Sequence, residues 1–255
     1  MPRAAGMVLL AFALCALRPA QADAGGWREQ AAAYTADGRR LLYRELHIVQ
    51  GGTSPRRWVL YTCPDGRAFA RKQVEGAGPA PDFVLEDGRD GARESVTGNG
   101  PQRQLLAHGA RAARPLPVPA DGVIDAGFDA AVRQAWPRLL RGERVRFQFL
   151  VPSRGQFYPV WVERIGSTRW RGQAAERLRL RLDTWFGFAV PELGLVYSGD
   201  GTRLLEFAGT SNLRDARGRN PQVRIVFDGA RTPLPAPDAD AAALAARPLD
   251  GRCPF

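Results

Sequence analysis

Residues Glu176–Trp185 read ERLRLRLDTW, with Leu178, Leu180 and Leu182 alternating against Arg177, Arg179 and Arg181. A period of two sends successive side chains to opposite faces of an extended chain, so this stretch is a strand with one dry and one wet face. A helix would scatter the same leucines around its circumference. Glu143–Val151 alternates likewise, with Val145, Phe147 and Phe149 on one side and Arg144, Arg146 and Gln148 on the other.

Asp-Gly pairs punctuate the chain at residues 37–38, 65–66, 87–88, 90–91, 121–122, 200–201, 228–229 and 250–251. Glycine accepts the positive φ of a tight turn, and aspartate bonds the nearby amides, so Asp-Gly between apolar runs signals a hairpin. YTADGRRLLYREL (Tyr34–Leu46) and YSGDGTRLLEFAG (Tyr197–Gly209) share Tyr-x-x-Asp-Gly-x-Arg-Leu-Leu. Both predict strand, turn, strand, with the tyrosine in the first arm and the leucines in the second. CPDGRAF, from Cys63, is a looser relative.

Further strands are predicted at Leu41–Val49, Trp58–Cys63, Ala68–Val74, Asp82–Glu86, Ala92–Thr97, Tyr158–Ile165, Gly194–Tyr197, Arg203–Ala208 and Val223–Phe227. Their connections are too short for crossover helices, which implies an antiparallel meander of eleven or so strands. One helix is expected over Gly127–Leu140, about residues 126–140 with its approach. Asp125 is its N-cap, Phe128, Val132, Ala135, Trp136 and Leu139 form its apolar stripe, and Gly142 ends it. Pro137 predicts a kink or restart near Trp136. The passage 111–122 (RAARPLPVPADG) reads as an extended connector between two blocks of strands. The fold class is therefore mainly β, an antiparallel meander forming a curved sheet or half-open β-barrel with one central helix packed on it.

Met7–Leu17 is an unbroken apolar run behind Arg3, and Ala20-Gln21-Ala22 follows Pro19. That is the pattern of a signal peptide over residues 1–22, too short for a spanning helix, with a second possible cut after Ala24. Leu14 precedes Cys15 where a lipidation signal has a small residue. The reading is of an exported, periplasmic chain that does not span the membrane, with one β-rich domain over 23–230 and a Pro/Ala-rich tail over 231–255. That tail is expected to be irregular, with a short helical turn at Ala239–Ala246.

The leader takes two of the 36 basic residues and none of the 26 acidic ones, so the net charge falls from +10 to +8. Lys72 is the one lysine in the chain. The arginine excess reads as a solvated surface under GC-rich codon usage, or as attraction to anionic lipid or polysaccharide. Nucleic acid is not expected for an exported chain without an aromatic-basic motif. Cys63 and Cys253 remain as an even pair, which in an oxidising compartment reads as a disulfide.

Catalytic signatures are scarce. His47 and His108 stand apart without a metal-ligand pattern, and with both cysteines bridged a zinc site lacks ligands; no metal or cofactor is expected. No Gly-x-Ser-x-Gly segment occurs. Eight of the 26 acids sit in Asp-Gly turns, and among the others Glu163, Asp183, Glu192 and Glu206 are the candidate carboxylates, with ion-pair roles as the alternative. The aromatics Trp136, Phe147, Phe149, Trp161 and Trp185 suit two readings equally: a core between helix and sheet, or the lining of an apolar pocket on a concave face closed by the helix.

The segments FDAAVRQAWPRLLRGERVRFQFLVPSR and RLLEFAGTSNLRDARGRNPQVRIVF resemble a family of uncharacterised exported proteobacterial proteins. The leader, meander and mid-chain helix together resemble the half-barrel proteins of the Gram-negative envelope, among them the periplasmic lipoprotein carriers. That resemblance implies a concave hydrophobic surface that shields acyl chains, and transfers no individual residue. Three functions follow as expectations: a non-catalytic periplasmic carrier for a lipid or amphiphile, an envelope scaffold binding another protein through an edge strand or the tail, and a hydrolase acting through Glu163 or Asp183.

Overall fold

The computed structural model describes residues 25–183, 192–253 and 255. The leader over residues 1–22 and Trp185 lie outside them. The first block contains β1 (Gly26–Thr35), β2 (Leu41–Gln50), β3 (Arg56–Thr62), β4 (Ala68–Glu75), β5 (Asp82–Asp87), β6 (Ala92–Asn99), β7 (Gln102–Leu106) and β8 (Arg114–Pro117). After β9 (Gly122–Val123) comes α1 (Gly127–Leu140). The second block contains β10 (Val145–Val151), β11 (Gln156–Trp170), β12 (Gln173–Leu182), β13 (Leu193–Ser198), β14 (Leu204–Thr210) and β15 (Gln222–Val226). The chain continues through β16 (Thr232–Leu234) and α2 (Pro237–Ala245).

All 16 described strands belong to one sheet. The first block runs outward from β1 to β8, the second returns from β9 to β15, and β1 joins β15 at the middle, with β16 also paired to β1. β9 joins β10 in parallel, and the other described pairings are antiparallel. The eleven or so strands expected from sequence are thus too few. β1 is longer than its predicted Tyr34 arm, and the connector itself holds β8 and β9.

The three related turns share one design. In the first, Thr35 N bonds Arg40 O at 2.9 Å, Gly38 N bonds Thr35 O at 2.7 Å, and the Asp37 carboxylate accepts from Arg39 N. In the second, Ser198 N bonds Arg203 O at 2.9 Å, Gly201 N bonds Ser198 O at 2.8 Å, and Asp200 accepts from Thr202 N. The turn from Cys63 is one residue shorter, with Cys63 N bonding Arg67 O, Gly66 N bonding Cys63 O and Asp65 accepting from Arg67 N. Gly38, Gly66 and Gly201 have φ of 74°, 88° and 73°, which explains why glycine follows the aspartate.

Register defines two faces. The inner face carries Ala33, Tyr43, Val59, Val74, Phe83, Val96 and Leu105 in the first block. In the second block it carries Phe147, Val160, Leu180, Leu195 and Phe207. The ends of the sheet, β8 and β9, do not pair. Instead Ile124, Leu150 and Phe157, on the reverse side of β9–β11 from Phe149, pack into the inner core of the first block beside Leu116. The sheet is rolled rather than closed.

α1 packs on the inner face of the second block. Val132, Ala135, Trp136 and Leu139 meet Val145, Val160, Val162, Leu178, Leu180, Leu195 and Tyr197. The helix runs through Pro137 without the expected restart, and Gly142, at φ 82°, follows its last turn. On the outer face, Ala241 and Leu244 of α2 cover Ile48, Trp58 and Leu60. The tail, expected to be irregular apart from a helical turn at Ala239–Ala246, forms α2 over Pro237–Ala245 and packs on the sheet. Cys63 and Cys253 are bridged, with Cα atoms 5.4 Å apart. Among the described residues no helix is long and apolar enough to cross a membrane.

Candidate functional site

Strand β10 alternates so that Phe147 and Phe149 point inward, and α1 brings Trp136 to the same core. Phe128, Leu182, Leu193, Leu204 and Phe207 join them as half-buried neighbours, with the Phe128 and Phe207 rings 6.1 Å apart. Three of the residues singled out from sequence thus converge. Trp161 does not: it pairs with Arg146, faces the reverse side, and lies 6.0 Å from that guanidinium.

Trp136 is 7% exposed, its ring is 5.6 Å from that of Tyr197, and it lies against Gly201. Its indole Nε1 is buried without a hydrogen-bond partner. Burying a donor unpaired is costly, so this N–H is a point at which an acceptor would be favoured. Beside it, the Tyr197 hydroxyl donates to Asp129 Oδ1 of α1 at 3.0 Å. Asp129 also accepts from Arg133 at 2.7 Å and faces Arg57 of β3 at 3.8 Å. Burial first, and then the Asp129 charge, push the Tyr197 hydroxyl well above the usual tyrosine range.

A second polar group holds the start of α1. Asp125 does not cap the helix: the N-cap position is Ala126, with no side-chain cap bond. Asp125 sits at φ 44°, and its carboxylate accepts from Lys72 Nζ at 2.8 and 3.0 Å and from Asn212 Nδ2 at 3.2 Å. A buried ammonium requires a counter-charge more than a helix terminus requires a cap. Burial pushes the Asp125 carboxyl up, but the charge and hydrogen bond of Lys72, joined by hydrogen bonds from the Ala126 amide and Asn212, outweigh it and the net direction is down.

Glu29, His47, Val59, Lys72, Leu85 and Glu94 form one continuous cross-strand row on this inner face. Glu29 meets Arg203 and Arg231, and His47 bonds Glu45 at 2.7 Å. The sequence signal for this row is Lys72, a lone lysine in an arginine-rich chain. Its partner lies 53 residues away and carries no local mark.

The carboxylates considered for hydrolysis are engaged elsewhere. Glu163 binds Arg179 and Arg144 at 2.6 and 2.8 Å, and the Arg179 hydrogen bond is the main cause of its lowered pKa. Asp183 pairs with Arg146, Glu192 with Arg179 and Arg181, and Glu206 with Arg224. No cluster of three or more His, Cys, Asp or Glu able to hold a metal occurs among the described residues. The two described clefts, of about 240 and 380 Å³, are not lined by Trp136, Phe147, Phe149 or Trp161.

The class defined by this geometry is a mainly β protein with a rolled, unclosed sheet and a helix on its inner face. No family model and no curated protein matches the chain. Its fold is similar to that of a β-barrel-like protein of domain of unknown function DUF1849 from Brucella abortus. That likeness has a TM-score of 0.47 and 6% identity, covering 82% of this chain and 97% of that one. A DUF1329 family protein from Desulfovibrio piger is similar at a TM-score of 0.32 and 10% identity, over 88% of this chain and 92% of its own. Neither description states a ligand or a reaction.

Proposed function

We propose that the protein is a non-catalytic periplasmic binding protein for a lipid or other amphiphile, held between α1 and the inner face of the second block. The observation that carries this reading is the half-buried apolar field of Phe128, Phe147, Phe149, Leu193, Leu204 and Phe207 around α1. Packing is close at Leu139 and Val162, both fully buried in the same cluster, so a hydrocarbon chain enters by displacing α1 along that field rather than by filling a preformed void. The unpaired Trp136 Nε1 supports a ligand with an oxygen acceptor at its polar end. The leader pattern and the Cys63–Cys253 bridge support an oxidising compartment outside the cytoplasm. The ion pairs of Glu163 and Asp183 favour structural roles for both, and the burial of Leu234, Ala241 and Leu244 leaves the tail engaged with its own sheet.

Native mass spectrometry of protein purified from periplasm without detergent, followed by lipid extraction, tests the reading. A bound species, lost or reduced in Phe147→Ser/Phe149→Ser, is expected. Protein that carries nothing, and takes up no fluorescent fatty acid, overturns it.

A further inference from the structure

The β5–β6 turn, the loop from β14 to β15 and the end of the tail meet around a cleft of about 380 Å³. That is room for a small molecule. One wall is Arg89, whose guanidinium lies 4.4 and 4.5 Å from the Phe69 and Phe255 ring centres. It donates to both oxygens of Asp87, and its Nη2 also reaches the Arg214 carbonyl at 2.8 Å. Arg214 and Arg252 complete the cationic lining. The acids of the cleft are already committed. Asp87 is taken by Arg89, Asp90 accepts from the Ala92 amide and meets His108 at 3.0 Å, and Asp215 pairs with Arg219. Arg214 and Arg252 donate to the carbonyls of Gly218 and Gly251, and among the described residues neither meets a side-chain carboxylate. The cleft therefore holds two guanidiniums with no counter-charge.

The disulfide meets this cleft through one of its halves. Cys63 is 2% exposed, within the core of Tyr43, Tyr61 and Phe69, whereas Cys253 is half-buried and lines the cleft. Thiol–disulfide exchange requires a thiolate to reach one sulfur and expel the other. Of the two cysteines, Cys253 is the one with an approach from solvent, and that approach is flanked by positive charge. Guanidinium forks favour carboxylate oxygens, and a cationic wall also favours the thiolate over the thiol.

We propose that the cleft is a site of thiol–disulfide exchange at Cys253 for a small thiol that carries a carboxylate. The thiolate attacks Cys253 Sγ, a new S–S bond forms as the bond to Cys63 breaks, and Cys63 leaves with the electron pair. The proton lost by the incoming thiol returns through water to Cys63, so one disulfide replaces another without net oxidation. Arg214 and Arg252 hold the carboxylate and raise the local concentration of the anion. The Cys63 thiol stays in the core and reverses the adduct when the small thiol is removed.

The test exposes the oxidised protein, in native buffer, to 3-mercaptopropionate, neutral 2-mercaptoethanol and cationic cysteamine. Early time points are quenched with acid and mapped by peptide mass spectrometry. The adduct is expected on Cys253, with Cys63 free. Per thiolate, 3-mercaptopropionate should react about tenfold faster than cysteamine at low ionic strength, and the gap should close in about 1 M salt. Arg214→Gln and Arg252→Gln should each cut that ratio about threefold. Arg154→Gln, on the exposed β10–β11 turn, should leave it unchanged. Equal rates for the three thiolates overturn the proposal, as does a ratio untouched by both cleft variants, an adduct on Cys63, or no reaction. A rate independent of thiol concentration also overturns it, because exchange would then follow global unfolding rather than entry into the cleft.

Discussion

Lys72 Nζ lies 2.8 Å from Asp125 Oδ2, so the chain's single lysine ties strand β4 to the residue that leads into α1. Their side chains are only 8% and 13% exposed. Lys72→Met should lower stability by about 3–5 kcal/mol, because it leaves the Asp125 carboxylate buried without its counter-charge. Lys72→Met combined with Asp125→Asn should recover most of that loss, since asparagine tolerates the left-handed backbone at this position. Denaturant unfolding of the four proteins in a double-mutant cycle checks both statements; independent, additive losses would refute the pairing.

Tyr197 and Asp129 make a second tie between helix and sheet. Tyr197→Phe keeps the ring that packs on Trp136 and removes the 3.0 Å hydrogen bond to Asp129. A loss of about 2 kcal/mol is expected for a buried hydrogen bond to a charged group. Hydrogen exchange should quicken in the first turns of α1 more than in β2–β6. Uniform acceleration across the sheet would argue against a local role.

Glu94 gives a pH dependence whose sign is fixed. Burial, with the Asp125 charge adding to it, holds its carboxyl above the ordinary glutamate value of 4.5. The folded state then holds this proton more tightly than the unfolded chain, so ionising Glu94 costs stability as the pH rises from 4.5 towards the folded value. Glu94→Gln should therefore be the more stable protein at neutral pH. The difference should shrink to nothing as the pH falls below 4.5. Paired melts across that window read it directly, and a variant less stable at neutral pH would contradict it.

The disulfide spans 190 residues. Replacing Cys63 and Cys253 together by serine should cost about 5 kcal/mol if chain entropy dominates. Unfolding of the variant beside the oxidised protein, under the same buffer, measures it. A loss below 1 kcal/mol would mean that the tail is held mainly by α2 and Leu234.

Alternation at Leu178, Leu180 and Leu182 was enough to place β12, because one face of that strand is wet. The helix over Gly127–Leu140 and the Cys63–Cys253 pairing were legible for similar reasons: a stripe of period 3.6 and an even cysteine pair. β1 was not. Its Ala31-Ala32-Ala33 run is buried on both faces, so no period survives to be read. β8 hides in a proline-rich connector because Pro115 and Pro117 lie on an edge strand, where a missing amide is tolerated. Trp161 sits in Val160-Trp161-Val162, an apolar run in which only pairing with β10 decides which side turns inward. The repeated Asp-Gly turn correctly announced the hairpins, yet Tyr197 is buried against α1 while Tyr34 borders the smaller cleft, on the outer face. One turn serves two opposite faces.

The seam between β1 and β15 joins Ala32 to Val226 and Tyr34 to Arg224 at the middle of the sheet. The first strand made is thus completed by nearly the last, across some of the longest sequence separations in the molecule. Loop closure on that scale is paid before its contacts repay it, which places the protein among slow, high-contact-order folders. As the chain is made, the amino-terminal half waits with one flank of β1 unpaired until residue 226 has been added.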